Sequence, residues 1–344
     1  ALTDALPAEL PFWNEVLEHP DYDDYWKERS LELHLKDIKP AILVVGGAYD
    51  TDDCYGALNT YKLIRENSPS TDLHFVYGPW SHGGWHEKDY AGLGQIDSWG
   101  GLSEHFMENI EFPFFSYYLE GKGKRPEPVY LFASGSEEWQ VMEKWPADGI
   151  DYTPLYLSEN SSLSFDQPLE LHSSATYISD PLSPVPFMED ASRRNNVYMV
   201  ADQTFASLRS DVLTYTSPVI EETLKLHGPM QVKLDLAISS EDADIVVKFI
   251  DVHPDGYQML VRGDVFPIRY RHGYDFPVKA NPGEIVHLEF KMNDIAHWIL
   301  PGHKMMIQVQ STWFPLVNLN PQTYLTNIYE ADREDYISSE ITIY

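Results

Sequence analysis

Ala41-Ile42-Leu43-Val44-Val45-Gly46-Gly47-Ala48-Tyr49-Asp50 opens on five apolar residues, breaks on two glycines and ends on an acid. An unbroken aliphatic run of this length, preceded by Pro40, predicts a strand buried on both faces of a parallel sheet. Residues 55 to 66 follow as a helix, with Leu58, Tyr61, Leu63 and Ile64 on its apolar side. A second short strand, Leu73 to Tyr77, stops at Gly78-Pro79. Strand, helix and strand in that order make a parallel α/β unit.

Reading upstream, residues 1–36 are aromatic and acidic, and Phe12 to Leu17 and Tyr22 to Trp26 carry bulky residues at helical spacing. Downstream, Phe106, Ile110, Phe114 and Phe115 predict a long helix over 102–119, with Pro113 as a site for a kink. Gly121-Lys122-Gly123-Lys124-Arg125-Pro126 reads as a linker. Beyond it the texture changes to short strands separated by turns such as His253-Pro254-Asp255-Gly256 and Pro301-Gly302. The expected strands are 129–132, 154–157, 196–200, 212–216, 225–236, 245–250, 285–290 and 305–310. Many strands without intervening helices predict a β-sandwich, with a jelly roll as the natural topology. The expected organisation is therefore α/β plus all-β, divided at 1–36, 37–124 and 125–344.

The chain has 344 residues, 43% hydrophobic and 23% charged, enough for about two domains with sizeable cores. Its net charge of −30 argues against a nucleic-acid partner and suits solubility or the steering of cationic ligands. No apolar run approaches the roughly 18 residues of a membrane span. Cys54 is the only cysteine, so no intrachain disulfide can form, and it reads as a buried structural thiol.

The chemistry gathers at the strand ends. Catalytic groups of parallel α/β sheets sit at the C-terminal ends of strands. Asp50 follows the first strand, and His82, in Gly78-Pro79-Trp80-Ser81-His82, follows the next. An acid and then a histidine form the late half of a Ser–Asp–His triad in the α/β-hydrolase order. The acid orients the imidazole, which moves the proton of the serine. The residues before Asp50 contain no G-x-S-x-G turn for that serine. Ser103, in Gly101-Leu102-Ser103-Glu104-His105, lacks the second glycine and comes after the histidine. The nucleophile is thus expected upstream of Ala1. The isolated chain is expected to be inactive and poorly soluble, exposing an incomplete sheet.

The run Gly46 to Asp50, the Gly78 to His82 motif and the C-terminal β texture resemble the family of cocaine esterase, Xaa-Pro dipeptidyl-peptidases, cephalosporin acylases and α-amino acid ester hydrolases. The motif His19-Pro20-Asp21-Tyr22-Asp23-Asp24-Tyr25-Trp26 adds to the resemblance, as do Gly135-Ser136-Glu137-Glu138-Trp139 and Lys248 to Gly256. So do Pro301-Gly302-His303 and Gln310-Ser311-Thr312-Trp313-Phe314-Pro315. The resemblance covers essentially the whole chain. It implies the C-terminal part of an α/β-hydrolase domain followed by a jelly-roll sandwich, with residues 1–36 as the end of a helical cap. It also implies a periplasmic or secreted location. In Asp50-Thr51-Asp52-Asp53, the last two acids fall where the α-amino acid ester hydrolases bind the substrate's α-ammonium group. Asp52 stands where that group usually has Glu, one methylene longer.

The expected function is hydrolysis of esters or amides of small acids bearing an α-amino group, through an acyl-enzyme. Asp50 and His82 are the catalytic pair, and Asp52 and Asp53 the substrate anchor. A glutaryl-type acylase and an Xaa-Pro dipeptidyl-peptidase are the alternatives within the family, and a non-catalytic binding module is the alternative outside it. The chemistry needs no metal or organic cofactor. His82 and His86 have a zinc-like spacing, but Gly83-Gly84 between them argues against the helix it would need. Arg269, Arg271, Trp313 and His303 read as structural. The expected partners are the small substrate and a separate N-terminal chain if the nucleophile is carried there; a homo-oligomer is left open.

Overall fold

The computed structural model describes residues 10–88, 92–94, 96–97, 101–136, 138–168, 173–193 and 195–344. Residues 1–9 of the expected cap segment and Glu137 of the Gly135–Trp139 motif lie outside the described residues. The N-terminal stretch is helical, as its spacing predicts. Helix α1 spans Pro11–Glu18 and α2 spans Asp24–Arg29, the latter N-capped by Asp23. A 3₁₀ turn, Leu31–His34, leads into the sheet.

Strand β1 (Ile42–Gly47), helix α3 (Cys54–Asn67) and strand β2 (Leu73–Gly78) follow. A small two-stranded ribbon follows, of β3 (Gly92–Leu93) and β4 (Ile96–Asp97). Then come α4 (Leu102–Phe106) and α5 (Phe112–Glu120). The two helices are joined by a π-helical turn, Met107–Glu111, just before Pro113. The wide turn fits the hydrogen bond that proline cannot donate, so the expected break takes the form of a π-bulge. Strands β5 (Val129–Ala133) and β6 (Glu138–Met142) complete a sheet of order β1-β2-β5-β6. The β1–β2 and β2–β5 pairs are parallel and β5–β6 is antiparallel. One expectation needs correcting. Ile42 to Val45 are only partly buried, because β1 is the outer strand of this sheet, whereas β2 is buried from His74 onward.

The remaining strands are β7 (Tyr156–Ser158), β8 (Ser162–Ser164), β9 (Ala175–Ser179), β10 (Leu213–Thr216) and β11 (Leu224–Ile238). After them come β12 (Asp244–Val252), β13 (Gln258–Pro267), β14 (Val286–Ile299), β15 (Lys304–Gln310) and β16 (Ser339–Ile343). They form two sheets, β13-β12-β15-β10-β8-β7 and β14-β11-β16-β9, the layers of a sandwich. Residues 196–200, expected as a strand, form a 3₁₀ turn instead. Asn195 caps it, its Oδ1 accepting from Val197 N at 2.9 Å. Among the described residues, no helix is long and apolar enough to cross a membrane.

One apolar cluster runs through both parts. Phe75, Tyr77 and Trp80 of the α/β sheet belong to the same core as Val246, Ile250, Leu260 and Trp313 of the sandwich. The contact is also polar. The guanidinium of Arg262, on β13 and buried, donates to the carbonyl of Ala48 at 2.9 Å and to that of Asp294 at 3.2 Å. It also meets Cys54 Sγ at 3.3 Å and the Tyr77 hydroxyl at 3.4 Å. Cys54 is buried, as expected of a structural thiol.

Candidate active site

Three glycines let β1 and β2 deliver their side chains to one place. A Cβ on Gly46 would lie 2.6 Å from Ala57 of α3, so glycine lets helix and strand pack closely. A Cβ on Gly47 would collide with the carbonyl of Trp80, and one on Gly78 with the Trp80 ring. Beyond the register Gly47↔Gly78 the two chains stay bonded, Ala48 N to Gly78 O at 2.8 Å and Tyr49 N to Trp80 O at 3.1 Å. Asp50 and His82 thus leave adjacent parallel strands in step, 32 residues apart in sequence.

Asp50 is 1% exposed. Its Oδ1 accepts from the backbone N–H groups of Asp52 at 2.8 Å and Asp53 at 3.0 Å, which fixes the carboxylate. Nδ1 of His82 lies 3.2 Å from Oδ1 and 3.1 Å from Oδ2. The imidazole itself is half exposed. With Nδ1 committed to the acid, Nε2 is the nitrogen available for proton transfer with a reacting group.

Asp52 and Asp53 flank the same ring, with Oδ2 atoms 4.0 and 3.5 Å from His82 Nδ1. Three carboxylates therefore surround one edge of the imidazole and create a local field suited to a cation. Asp53 occupies the N-cap position of α3, yet its side chain makes no capping bond. Both side chains are substantially exposed, at 47% and 65%.

The other sequence candidates fall elsewhere. His86 lies in a 3₁₀ turn with Nε2 3.0 Å from Glu111, not beside His82 on a helix. Ser103 is fully buried and donates to the Gly84 carbonyl at 2.7 Å. Arg269 is paired with Asp242 inside the sandwich, and Trp313 is core.

Sequence reasoning missed the support behind the acid. The Tyr49 hydroxyl, one residue before Asp50, donates to Ser134 Oγ at 2.8 Å. Ser134 Oγ lies 2.8 Å from His297 Nδ1, and His297 Nε2 lies 3.0 Å from Asp251 Oδ2. These residues come from segments far apart in the chain, so no local pattern marks them. Gly135 has a legible reason in retrospect. It takes a positive φ of 85°, and a Cβ there would strike the Trp298 carbonyl.

Comparison with known proteins agrees with this architecture. Residues 120–342 match the model of the X-Pro dipeptidyl-peptidase C-terminal non-catalytic domain, and residues 1–84 match that of the X-Pro dipeptidyl-peptidase (S15 family). The cocaine esterase of Rhodococcus sp. (strain MB1 Bresler) is 28% identical over 325 residues, covering 90% of this chain and 55% of the esterase. The crystal structure of an aminopeptidase from a marine sediment Thaumarchaeota archaeon superposes with a TM-score of 0.94 at 31% identity, covering 99% of this chain and 59% of that one. A selenomethionine-labelled α-amino acid ester hydrolase superposes with a TM-score of 0.92 at 32% identity, covering 98% and 59%. The chain thus spans little more than half the length of these relatives.

Proposed function

Because the chain belongs to the serine-hydrolase family of the X-Pro dipeptidyl-peptidases, which includes ester hydrolases, we propose that it supplies the acid and base of a Ser–His–Asp triad. A serine outside these residues would be the nucleophile. His82 takes the proton of that serine as it attacks the acyl carbon and returns a proton to the leaving group. Asp50 holds the imidazole in one tautomer and balances its transient charge. The observation that carries this reading is the bond of His82 Nδ1 to both oxygens of the buried Asp50. The preferred substrates are esters or amides of small acids with an α-amino group. Asp52 and Asp53 accept hydrogen bonds from the α-ammonium group, which brings the adjacent carbonyl carbon near His82. Their exposure and their approach to the imidazole support this role.

The test is Asp52→Asn with Asp53→Asn, made in the polypeptide that includes the nucleophile. Loss of two charge-assisted bonds predicts a drop in kcat/KM of about 100-fold on an α-amino ester. The drop on the des-amino ester should be less than about 5-fold on the same grounds. Equal losses on both would remove the anchoring role.

A second reading, removal of Xaa-Pro dipeptides, is favoured by the family models themselves. It uses the same acids for a peptide's N-terminal ammonium. Faster cleavage of Xaa-Pro anilides than of α-amino esters would select it.

A further inference from the structure

Strands β12 and β15 pair antiparallel with Asp251 opposite Met305 and Val252 opposite Lys304. Continuing that register one step places His253 opposite His303, just beyond the end of the ladder. Asp251 and His253 are two apart on an extended chain, so they share a face, and a directly opposed residue shares it too. The side chains agree. His303 Nδ1 lies 2.8 Å from Asp251 Oδ1. His253 Nε2 lies 3.9 Å from Asp251 Oδ2, and the two imidazole centroids are 4.6 Å apart.

We infer that Asp251, His253 and His303 bind one divalent transition-metal ion of the zinc type. All three donor atoms lie within 4.8 Å of one another. Metal bonds of about 2.0–2.1 Å place the donors of a tetrahedral site roughly 3.3 Å apart; here each oxygen of Asp251 faces one imidazole, Oδ1 at 2.8 Å from His303 Nδ1 and Oδ2 at 3.9 Å from His253 Nε2. The 3.9 Å gap is too long for a hydrogen bond. Two imidazoles beside one carboxylate are a donor set that zinc accepts, with a fourth position left for water.

The carboxylate is already oriented for this. Its Oδ2 is held by His297 Nε2 at 3.0 Å, and His297 is held by Ser134 at 2.8 Å, the support from behind that ligating groups require. Asp251 is 2% exposed, while His303 and His253 are 13% and 24% exposed, so the site opens to solvent on the imidazole side. The two turns that carry the histidines touch. A Cβ on Gly302 would meet Pro254 at 3.4 Å, and Gly256 and Gly302 take positive φ values of 95° and 90°. An ion here would pin the two turns together at the end of the sandwich.

The experiment is calorimetric titration of Zn²⁺ into the polypeptide that includes the nucleophile, stripped of metal by chelator. It is run beside His253→Phe, His303→Phe, Asp53→Asn and, as a surface control, His287→Ala. The wild type is expected to bind one equivalent. His253→Phe and His303→Phe should weaken binding by at least about 100-fold, more than loss of a supporting group costs. Asp53→Asn and His287→Ala should leave it unchanged. X-ray absorption of the Zn²⁺-loaded wild type counts imidazole ligands without any variant, and two are expected. The inference is overturned by absence of stoichiometric binding, by retention in both histidine variants, or by loss in Asp53→Asn. That last result would move the ion to Asp50, Asp53 and His82, the other such cluster among the described residues, where a single imidazole would be seen.

Discussion

Ser134 Oγ lies 2.8 Å from Nδ1 of His297, and this contact joins the sheet that carries Asp50 to the β-sandwich. The Tyr49 hydroxyl donates to Ser134 Oγ, which also lies 3.1 Å from the Ala296 carbonyl, and His297 Nε2 lies 3.0 Å from Asp251 Oδ2. The main chain reinforces the joint, with Ser134 N bonded to Ala296 O at 3.1 Å and Trp298 N to Ser134 O at 2.8 Å.

Ser134→Ala keeps those main-chain bonds but strands the Tyr49 hydroxyl and one nitrogen of His297 in a buried setting. Each unsatisfied group costs about 1–3 kcal/mol, so the variant should lose about 3 kcal/mol in urea unfolding. Ser136→Ala removes only a part-buried bond to the Ala133 carbonyl and should lose less than about 1 kcal/mol. Equal effects would mean that the relay contributes nothing beyond a local turn.

Arg262 makes the second joint, and its fork should not be replaceable by a point charge. In Arg262→Lys a single ammonium cannot reach Ala48, Asp294, Cys54 and Tyr77 together. The expected loss is about 3 kcal/mol, with faster labelling of Cys54 by a thiol reagent as the joint loosens. Unchanged stability and labelling would show the contact to be passive.

Much of this was legible because it is local. The aliphatic run to Gly47, the helix after it and the stop at Gly78-Pro79 place Asp50 and His82 on neighbouring strands, and the structure pairs those strands directly. Residues 196–200 were misread because Val197, Met199 and Val200 suit a strand, while the Asn195 cap that bends them is a single-residue signal. The strand expected from Ile285 ends at Phe290 in the sequence reading, whereas β14 runs on to Ile299 past the polar pair Asn293-Asp294. It continues because Asp294 is satisfied from afar, by Lys62 at 2.7 Å and the Trp145 indole at 2.8 Å. Ser134 and His297 are separated by 163 residues and carry no mutual pattern. What escaped the sequence is what only tertiary contact creates.

Gly47→Ala tests the strand-end geometry. The added methyl would meet the Trp80 carbonyl and press apart the two chains that present Asp50 and His82. A displacement of about 1 Å can cost 100-fold in rate. Ester turnover per folded molecule, in the polypeptide that includes the nucleophile, should fall by about that factor. Gly149→Ala meets nothing within 4 Å at φ 74° and should cost only a modest backbone strain, with turnover intact. Full turnover in Gly47→Ala would mean that the strand ends tolerate separation.

The sandwich interior should leave its own mark on stability against pH. Lys248 is fully buried on β12, with Nζ bonded to Gln203 Oε1 at 2.9 Å, and burial pushes its ammonium down to about 7. Asp244, at the start of the same strand, is pushed up to about 7 by burial, although Asn320 donates to it at 2.9 Å. An unfolded lysine titrates near 10.4 and an unfolded aspartate near 3.9. Between about 7 and 10.4 the unfolded chain holds the lysine proton and the native chain does not, so stability rises with pH. Between about 3.9 and 7 the native chain holds the Asp244 proton and the unfolded chain does not, so stability falls as pH rises. The two contributions give a minimum near neutrality. Lys248→Met should abolish the alkaline rise alone. Asp244→Asn should abolish the acid-side fall alone. Urea midpoints across pH, wild type beside each variant, read both, and a variant curve parallel to the wild type would show that its group does not titrate in that window.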